Sequence, residues 1–368
     1  MDKCEHLDFP VGIRLPGDAG LHPLSNIEWW YSYGFLYGDK GSNFAVIASF
    51  FSFGELPCFK GHYIIFSIID LDNNIHRSYS FIDGQGLINL LFYIPYSLLF
   101  DPANKRLWSL YSDLLMGKLP SPHRRMKDVS IQMYPLQLGY GDNSLTFSNQ
   151  LSHEFKIDLA GDEIKIDLQF TPQKPITLVG KTGKPNRLYY YSFPRNYLQG
   201  QVKRNGIIEN VSGEGWFDHQ WGRDYMLTFN IGWDWFGIQL AGGRELLMNQ
   251  FFDIGNKKTF SPMANLIESD GALRFTRNVI YHPLRYWKSP LTNAIYPVEW
   301  NILIPDFNMQ LNVRPYFNRQ EMPVLGHLQA IWEGVCIVTG VEMSPEGQHG
   351  KLLHGKGFME LVGYANRS

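Results

Sequence analysis

Cysteine is scarce in this chain of 368 residues: Cys4, Cys58 and Cys336 are widely spaced, odd in number and form no C-x-x-C pair. That pattern excludes a disulfide framework and a zinc site built on paired cysteines. Net charge is small as well, with 33 Lys and Arg against 35 Asp and Glu and a formal charge of −2. No broad positive field is present to attract a phosphate backbone, so nucleic acid is not an expected partner. Long hydrophobic runs are absent. The longest, "GLINLLFYIPYSLLF", is broken by Pro95 and falls short of the roughly 18–20 residues a membrane span needs. The N-terminal stretch "MDKCEHLDFPVGIRLPGD" is charged and proline-broken, without the apolar core of a secretory signal, so a cytoplasmic location is expected. Catalytic signatures are missing too: there is no H-E-x-x-H and no G-x-S-x-G, and "GKTGK" is too short for a phosphate loop.

Aromatic residues are abundant, with 25 Phe, 20 Tyr and 10 Trp, and β-strands accept them readily. Short alternating or aromatic-rich segments are separated by turn signals at Asp72-Asn73-Asn74, Gly161-Asp162, Asn205-Gly206 and Gly242-Gly243. This rhythm predicts meandering antiparallel strands closed into barrels or sandwiches. Both halves carry a Trp-rich strand near their start, Glu28-Trp29-Trp30-Tyr31 and Gly232-Trp233-Asp234-Trp235-Phe236, which fits a duplicated barrel. Residues 86–127 interrupt the rhythm: Leu107, Trp108, Leu110, Tyr111, Leu114 and Leu115 recur at helical spacing. The segment fits a helical insertion packed on a barrel, or a lid or membrane-surface contact flanked by His123-Arg124-Arg125.

The stretch "GEGWFDHQWG", residues 213–222, sets an acid beside an imidazole among large aromatics. In an extended strand Trp216, Asp218 and Gln220 share one face, and Phe217, His219 and Trp221 share the other. Asp218 and His219 therefore do not form a dyad within a regular strand. Their spacing is also poor for two metal ligands, and no bound metal is expected. Glu28, next to two tryptophans, must be paired, hydrogen-bonded or protonated if buried. It reads equally as a proton donor in an aromatic pocket and as a satisfied structural carboxylate. Aromatics such as Tyr189, Tyr190, Tyr191, Trp233 and Trp235 serve a core or line an apolar cavity, where ring faces stabilise a passing carbocation.

Several motifs occur in order: "IEWWY", "YYYSFPRNYLQGQV", "VSGEGWFDHQWG", "GWDWFGIQL", "YPVEW", "WEGVCIVTG" and "GKGFMELVGY". Together they resemble the carotenoid 1,2-hydratase and AttH-like family. The resemblance implies an all-β chain of two consecutive lipocalin-like (calycin) antiparallel barrels. The first would span residues 1–222, with the helical insertion at about 86–127, and the second residues 223–368. It implies a hydrophobic small-molecule substrate and no cofactor. Members hydrate an isoprenoid double bond, and similar proteins are pericyclases, including Diels–Alderases, that fold a polyene for cyclisation. The His-x-Trp linked to catalysis in the hydratases corresponds to His219 and Trp221. Their downstream Tyr-x-Asp has no counterpart: the strand reads "ELLMNQFFD", with Met248, Asn249 and Gln250 where the acid is expected. The expected catalytic set is thus Glu28, Asp218, His219, Trp221 and Asn249. Trp29, Trp30, Tyr31, Tyr190, Trp233, Trp235, Met248 and Gln250 are the expected substrate contacts. The missing acid points towards pericyclase-like cyclisation of a polyene or isoprenoid, in which no proton need move, over cyclisation started by an acid chosen from Glu28 and Asp218. Hydration and simple carriage of a hydrophobic ligand are the alternatives.

Overall fold

A computed structural model describes residues 12–148, 153–223, 231–344 and 350–365. Cys4 and residues 224–230, close behind the expected domain junction at 222/223, lie outside the described residues. Among the described residues, the alternating segments form two curled sheets, one of 13 strands and one of 10. All ladders named below are antiparallel, and the turn signals stand between paired strands. Asn205 and Gly206, with φ of 50° and 80°, join strand Leu188–Arg204 to Ile207–Gly222, and only residues tolerant of the left-handed region fit there. Gly242 and Gly243, at φ 86° and 78°, do the same between Ile231–Leu240 and Arg244–Asp253.

Strand period two sorts the side chains into three cores. The first sheet encloses Trp30, Phe50, Phe66, Tyr191, Phe217 and Trp221. The second encloses Phe236, Met248, Trp300, Trp332 and Met359. Between the sheets lies a third apolar layer, with Tyr31, Tyr33 and Trp216 from the first sheet meeting Trp235, Leu247 and Phe358 from the second. Polar contacts fix this junction. Tyr33 donates to the Gly237 carbonyl at 3.0 Å, Gln239 donates to the Gly215 carbonyl at 2.9 Å, and the buried Glu245 carboxylate pairs with Arg195 at 2.6 Å and Lys174 at 2.7 Å.

The two Trp-rich strands, Ile27–Gly38 and Ile231–Leu240, both border that layer, and alternate residues of each, Trp29 and Tyr31, Trp233 and Trp235, turn towards it. The interruption of the strand rhythm is a pair of helices, α1 (Gly84–Phe100) and α2 (Lys105–Leu115). Asp83 caps α1 by accepting from the Gly86 amide at 2.6 Å and ties it to the sheet through His62 Nδ1 at 2.8 Å. Pro95, read in the sequence as a break in the apolar run, lies inside α1 without ending it. The amide that Pro95 lacks is one helical bond, and the burial of Leu90, Ile94 and Leu98 beneath the helix holds the rest. No helix among the described residues is long and apolar enough to cross a membrane.

Candidate active site

A cavity of about 610 Å³ opens between the two sheets and beneath α1, in the middle of the range for small-molecule sites (roughly 300–1,000 Å³). Its walls are mainly aromatic and aliphatic, with Trp29, Tyr31, Phe51 and Tyr63 from the first sheet and Trp233, Trp235, Phe251 and Phe260 from the second. Leu90, Tyr93, Ile94 and Ser97 of α1 close one side. Two carboxyl groups, Asp218 and Glu360, line this space, and Glu333 is the cross-strand partner of Glu360.

Asp218 projects from Ile207–Gly222 into the cavity and accepts from Tyr190 and Ser192 at 2.5 Å each and from Trp216 Nε1 at 2.7 Å. Trp235 Nε1 in turn donates to the Tyr190 hydroxyl at 3.0 Å, so the chain of donors crosses from the second sheet to the first. Burial pushes the Asp218 carboxyl up to about 7, against the lowering effect of its donors from Ser192, Tyr190 and Trp216.

Glu360 lines the cavity from the second sheet, and Glu333 is its cross-strand partner. Tyr31 donates to Glu333 at 2.8 Å, across the junction between sheets. Burial, reinforced by the neighbouring Glu360, raises Glu333 well above the usual carboxyl range. Glu360 is pushed up to about 7, chiefly by burial, with a Trp233 hydrogen bond opposing and the Asp218 charge assisting. Two carboxyls this close cannot both ionise cheaply, so the pair carries a proton near neutral pH.

The other face of the same strands builds a different cluster. Glu28 Oε1 accepts from His22 Nδ1 at 2.7 Å and His219 Nε2 at 2.9 Å, and Oε2 accepts from the His22 amide at 2.8 Å. His22 stacks on Trp221 at 4.2 Å and His219 on Trp30 at 4.7 Å. One ligand atom each from His22, Glu28 and His219 lie within 4.8 Å of one another, the set among the described residues that could hold a metal ion. The spacings to Glu28, however, are hydrogen-bond lengths, and the cluster faces the closed core of the first sheet.

Of the sequence-selected residues, the cavity therefore gathers Asp218, Asn249, Trp29, Tyr31, Tyr190, Trp233 and Trp235. Glu28, Trp30, His219 and Trp221 pack together on the opposite face of their strands. Met248 is in the core of the second sheet. Gln250 turns to the same side and donates to Asp234 at 2.9 Å. Glu333 and Glu360 lie outside the expected catalytic and substrate-contact residues. Each is a lone acid in an apolar strand, "AIWEGVCIV" and "GFMELV", the same signal that singles out Glu28.

The ordered motifs and this double-sheet geometry agree with the comparisons. The model of the AttH-like family matches residues 121–364. The chain belongs to the AttH-like family. The match in this AttH-like protein begins after α2, so both helices lie outside it. Its fold is shared by an AttH protein of Nitrosomonas europaea, 22% identical, with 96% of this chain and 98% of that one covered at a TM-score of 0.72. Kievitone hydratase from Nectria haematococca superposes at 15% identity, 96% and 93% coverage and a TM-score of 0.67. CghA does so at 12% identity, 98% and 96% coverage and a TM-score of 0.52. No curated protein matches the chain in sequence.

Proposed function

We propose that this protein is an enzyme that protonates a carbon–carbon double bond of an apolar polyene or isoprenoid ligand held between the sheets, and so starts its cyclisation. The observation that carries this reading is Glu360 in the wall of an aromatic cavity, with a second buried carboxyl, Glu333, as its cross-strand partner. Protonating an unactivated alkene demands a positioned acid whose pKa lies near the working pH, and Glu360 meets both conditions.

In the proposed step the Glu360 proton bonds to one alkene carbon as the π bond breaks, leaving a cation on the more substituted carbon. Trp29, Trp233 and Trp235 offer ring faces to that cation, and Tyr31 holds Glu333 in place behind Glu360. An internal double bond then attacks the cation and closes a ring. Loss of a proton to the Glu360 carboxylate restores the acid, so the reaction is a net isomerisation. The apolar wall favours this internal capture over capture by water.

A second reading, hydration, rests on Asp218. Its pKa near 7 and its position in the cavity suit a base that takes a proton from water attacking the same cation. The hydratase of the same fold is consistent with that outcome. In either case α1 serves as a lid, and its outward side chains Phe92, Leu99 and Phe100, between 62% and 75% exposed, suit contact with a lipid surface from which the ligand is drawn.

The test is incubation with C15 and C20 isoprenoid alcohols and hydrocarbons, with products followed by chromatography. A cyclised product is expected, or a hydrated one on the second reading, and Glu360→Gln should remove it. Tight binding with no product from any of them would leave a carrier instead.

A further inference from the structure

Asp218 and Glu360 differ from the buried Glu245 and Glu28 in having no basic partner. Glu245 pairs with Arg195 and Lys174, and Glu28 is held between His22 and His219. Asp218 instead takes its hydrogen bonds from two hydroxyls and an indole, and Glu360 from the Trp233 indole. Among the described residues neither acid forms an ion pair with Lys, Arg or His. Glu321 lacks a basic partner too, but three hydroxyls enclose it, whereas Asp218 and Glu360 border open space. Carboxylates withdrawn from water are ordinarily paired, because a bare one is expensive. Arg187 and His327 also line the cavity, from the loops before Leu188–Arg204 and before Ala330–Met343, and Arg187 is exposed.

Aromatic rings stand around the two acids. Glu360 is the cross-strand partner of Trp235, and Trp235 Nε1 reaches Asp218 through the Tyr190 hydroxyl, so one indole adjoins both carboxyls. Tyr31 meets that indole edge to face, with centroids 5.4 Å apart and planes at 75°. Trp29 and Phe51 lie 6.4 Å apart at 37° in the facing wall. Rings set at angles to one another form the sides of a box rather than a flat stack. An aromatic box is the arrangement that receives a quaternary ammonium group.

We propose that this cavity also binds lipophilic onium ions: a quaternary ammonium on an apolar chain, its head against Trp235 beside Asp218 and Glu360, its chain along the apolar wall beneath α1. The ligand supplies the cation that the two carboxyls lack. The assignment rests on the cavity and its acids and not on proton transfer, so it stands whether or not Glu360 protonates an alkene. The ammonium takes the place that a carbocation would hold during turnover, and such a ligand competes with the polyene.

Three ligands of one chain length and different charge test the proposal without requiring turnover: decyltrimethylammonium, 1-decanol and decyl sulfate, each below its micelle concentration, followed by quenching of tryptophan fluorescence. Wild-type protein should bind the cation about five- to thirtyfold more tightly than the alcohol, and decyl sulfate most weakly. Glu360→Gln and Asp218→Asn should each lower affinity for the cation by about tenfold and leave that for 1-decanol unchanged. Equal binding of cation and alcohol by the wild type, tightest binding of decyl sulfate, or a cation preference that survives both substitutions would overturn the proposal. Decylphosphocholine distinguishes the source of the head group: binding as tight as that of decyltrimethylammonium assigns the site to choline lipids, and weaker binding assigns it to free amines. Failure of all four ligands to bind would overturn the proposal together with the cavity as a ligand site. A cyclised product from a neutral isoprenoid, with no preference for the cation, would leave the proton-donor reading standing alone.

Discussion

Replacing Glu28 by Gln separates a structural carboxylate from a catalytic one. Glu28 is 1% exposed and accepts three hydrogen bonds, two from His22 and one from His219. Gln offers a single acceptor oxygen, so its amide nitrogen would face at least one of these N–H groups. Removing one partner from a buried charged network costs about 3–5 kcal/mol. With about 2.1 cal/mol/K of unfolding entropy per residue over 368 residues, each kcal/mol shifts Tm by about 1.3 °C, so Tm should fall by about 4–7 °C, read by calorimetry at pH 6.5. Activity per folded molecule at low temperature should persist.

The pH dependence carries a further signature. Burial opposes charge on Glu28, but hydrogen bonds from His219 and His22 outweigh it and hold the carboxyl below its ordinary range. Its contribution is present at neutral pH and lost as pH falls through that lowered value. Burial likewise holds His219 down despite Glu28, so stability also declines as pH drops below about 6.5, where the unfolded imidazole protonates first. His22 is opposite in sign. Asp18 and Glu28 outweigh its burial and raise it, so its contribution is complete below about 6.5 and lost as pH rises through the raised value. Glu28→Gln should therefore remove the part of the acid-side stability loss that comes from this carboxylate. A variant with unchanged Tm and no activity would refute this reasoning and make Glu28 the acid.

Other outcomes follow from the same contacts. Glu360→Gln should lower turnover by about 10²–10⁴-fold, the usual contribution of a general acid, while farnesol affinity changes little. Wild-type turnover should fall as pH rises through about 7, where Glu360 loses its proton; a flat profile from pH 6 to 8.5 would contradict that role. Tyr31→Phe leaves the buried Glu333 without its donor and should cost about 1–3 kcal/mol in chemical denaturation. Phe92→Ser, at 75% exposure on α1, should leave Tm unchanged but reduce flotation with phospholipid vesicles; equal flotation would sink the membrane-contact reading.

Much of the fold is legible in the sequence because it is local. Turn pairs such as Asn205-Gly206 fix hairpins, and period two assigns Asp218 and His219 to opposite faces of one strand. Which face meets the ligand is not local. Each face of "FDHQW" is aromatic, and only the packing of the second sheet against the first turns the Asp218 face into a cavity wall and the His219 face into a closed core. Glu333 and Glu360 are hard to select for the same reason. They become a pair through the ladder between Ala330–Met343 and Gly350–Val362 and reach the cavity because Gly350–Val362 pairs with Ile231–Leu240, more than 100 residues earlier. Pro95 shows the reverse case, where a strong local signal yields to tertiary packing beneath α1.

The central claim is that Glu360 gives a proton to carbon, and reaction in deuterium oxide tests it most directly. Product formed by the wild-type protein should carry one deuterium on the carbon that was protonated, and Glu360→Gln should form none. Product that forms at the same rate without deuterium on carbon would contradict the account and leave a cavity that merely folds its ligand for a pericyclic closure.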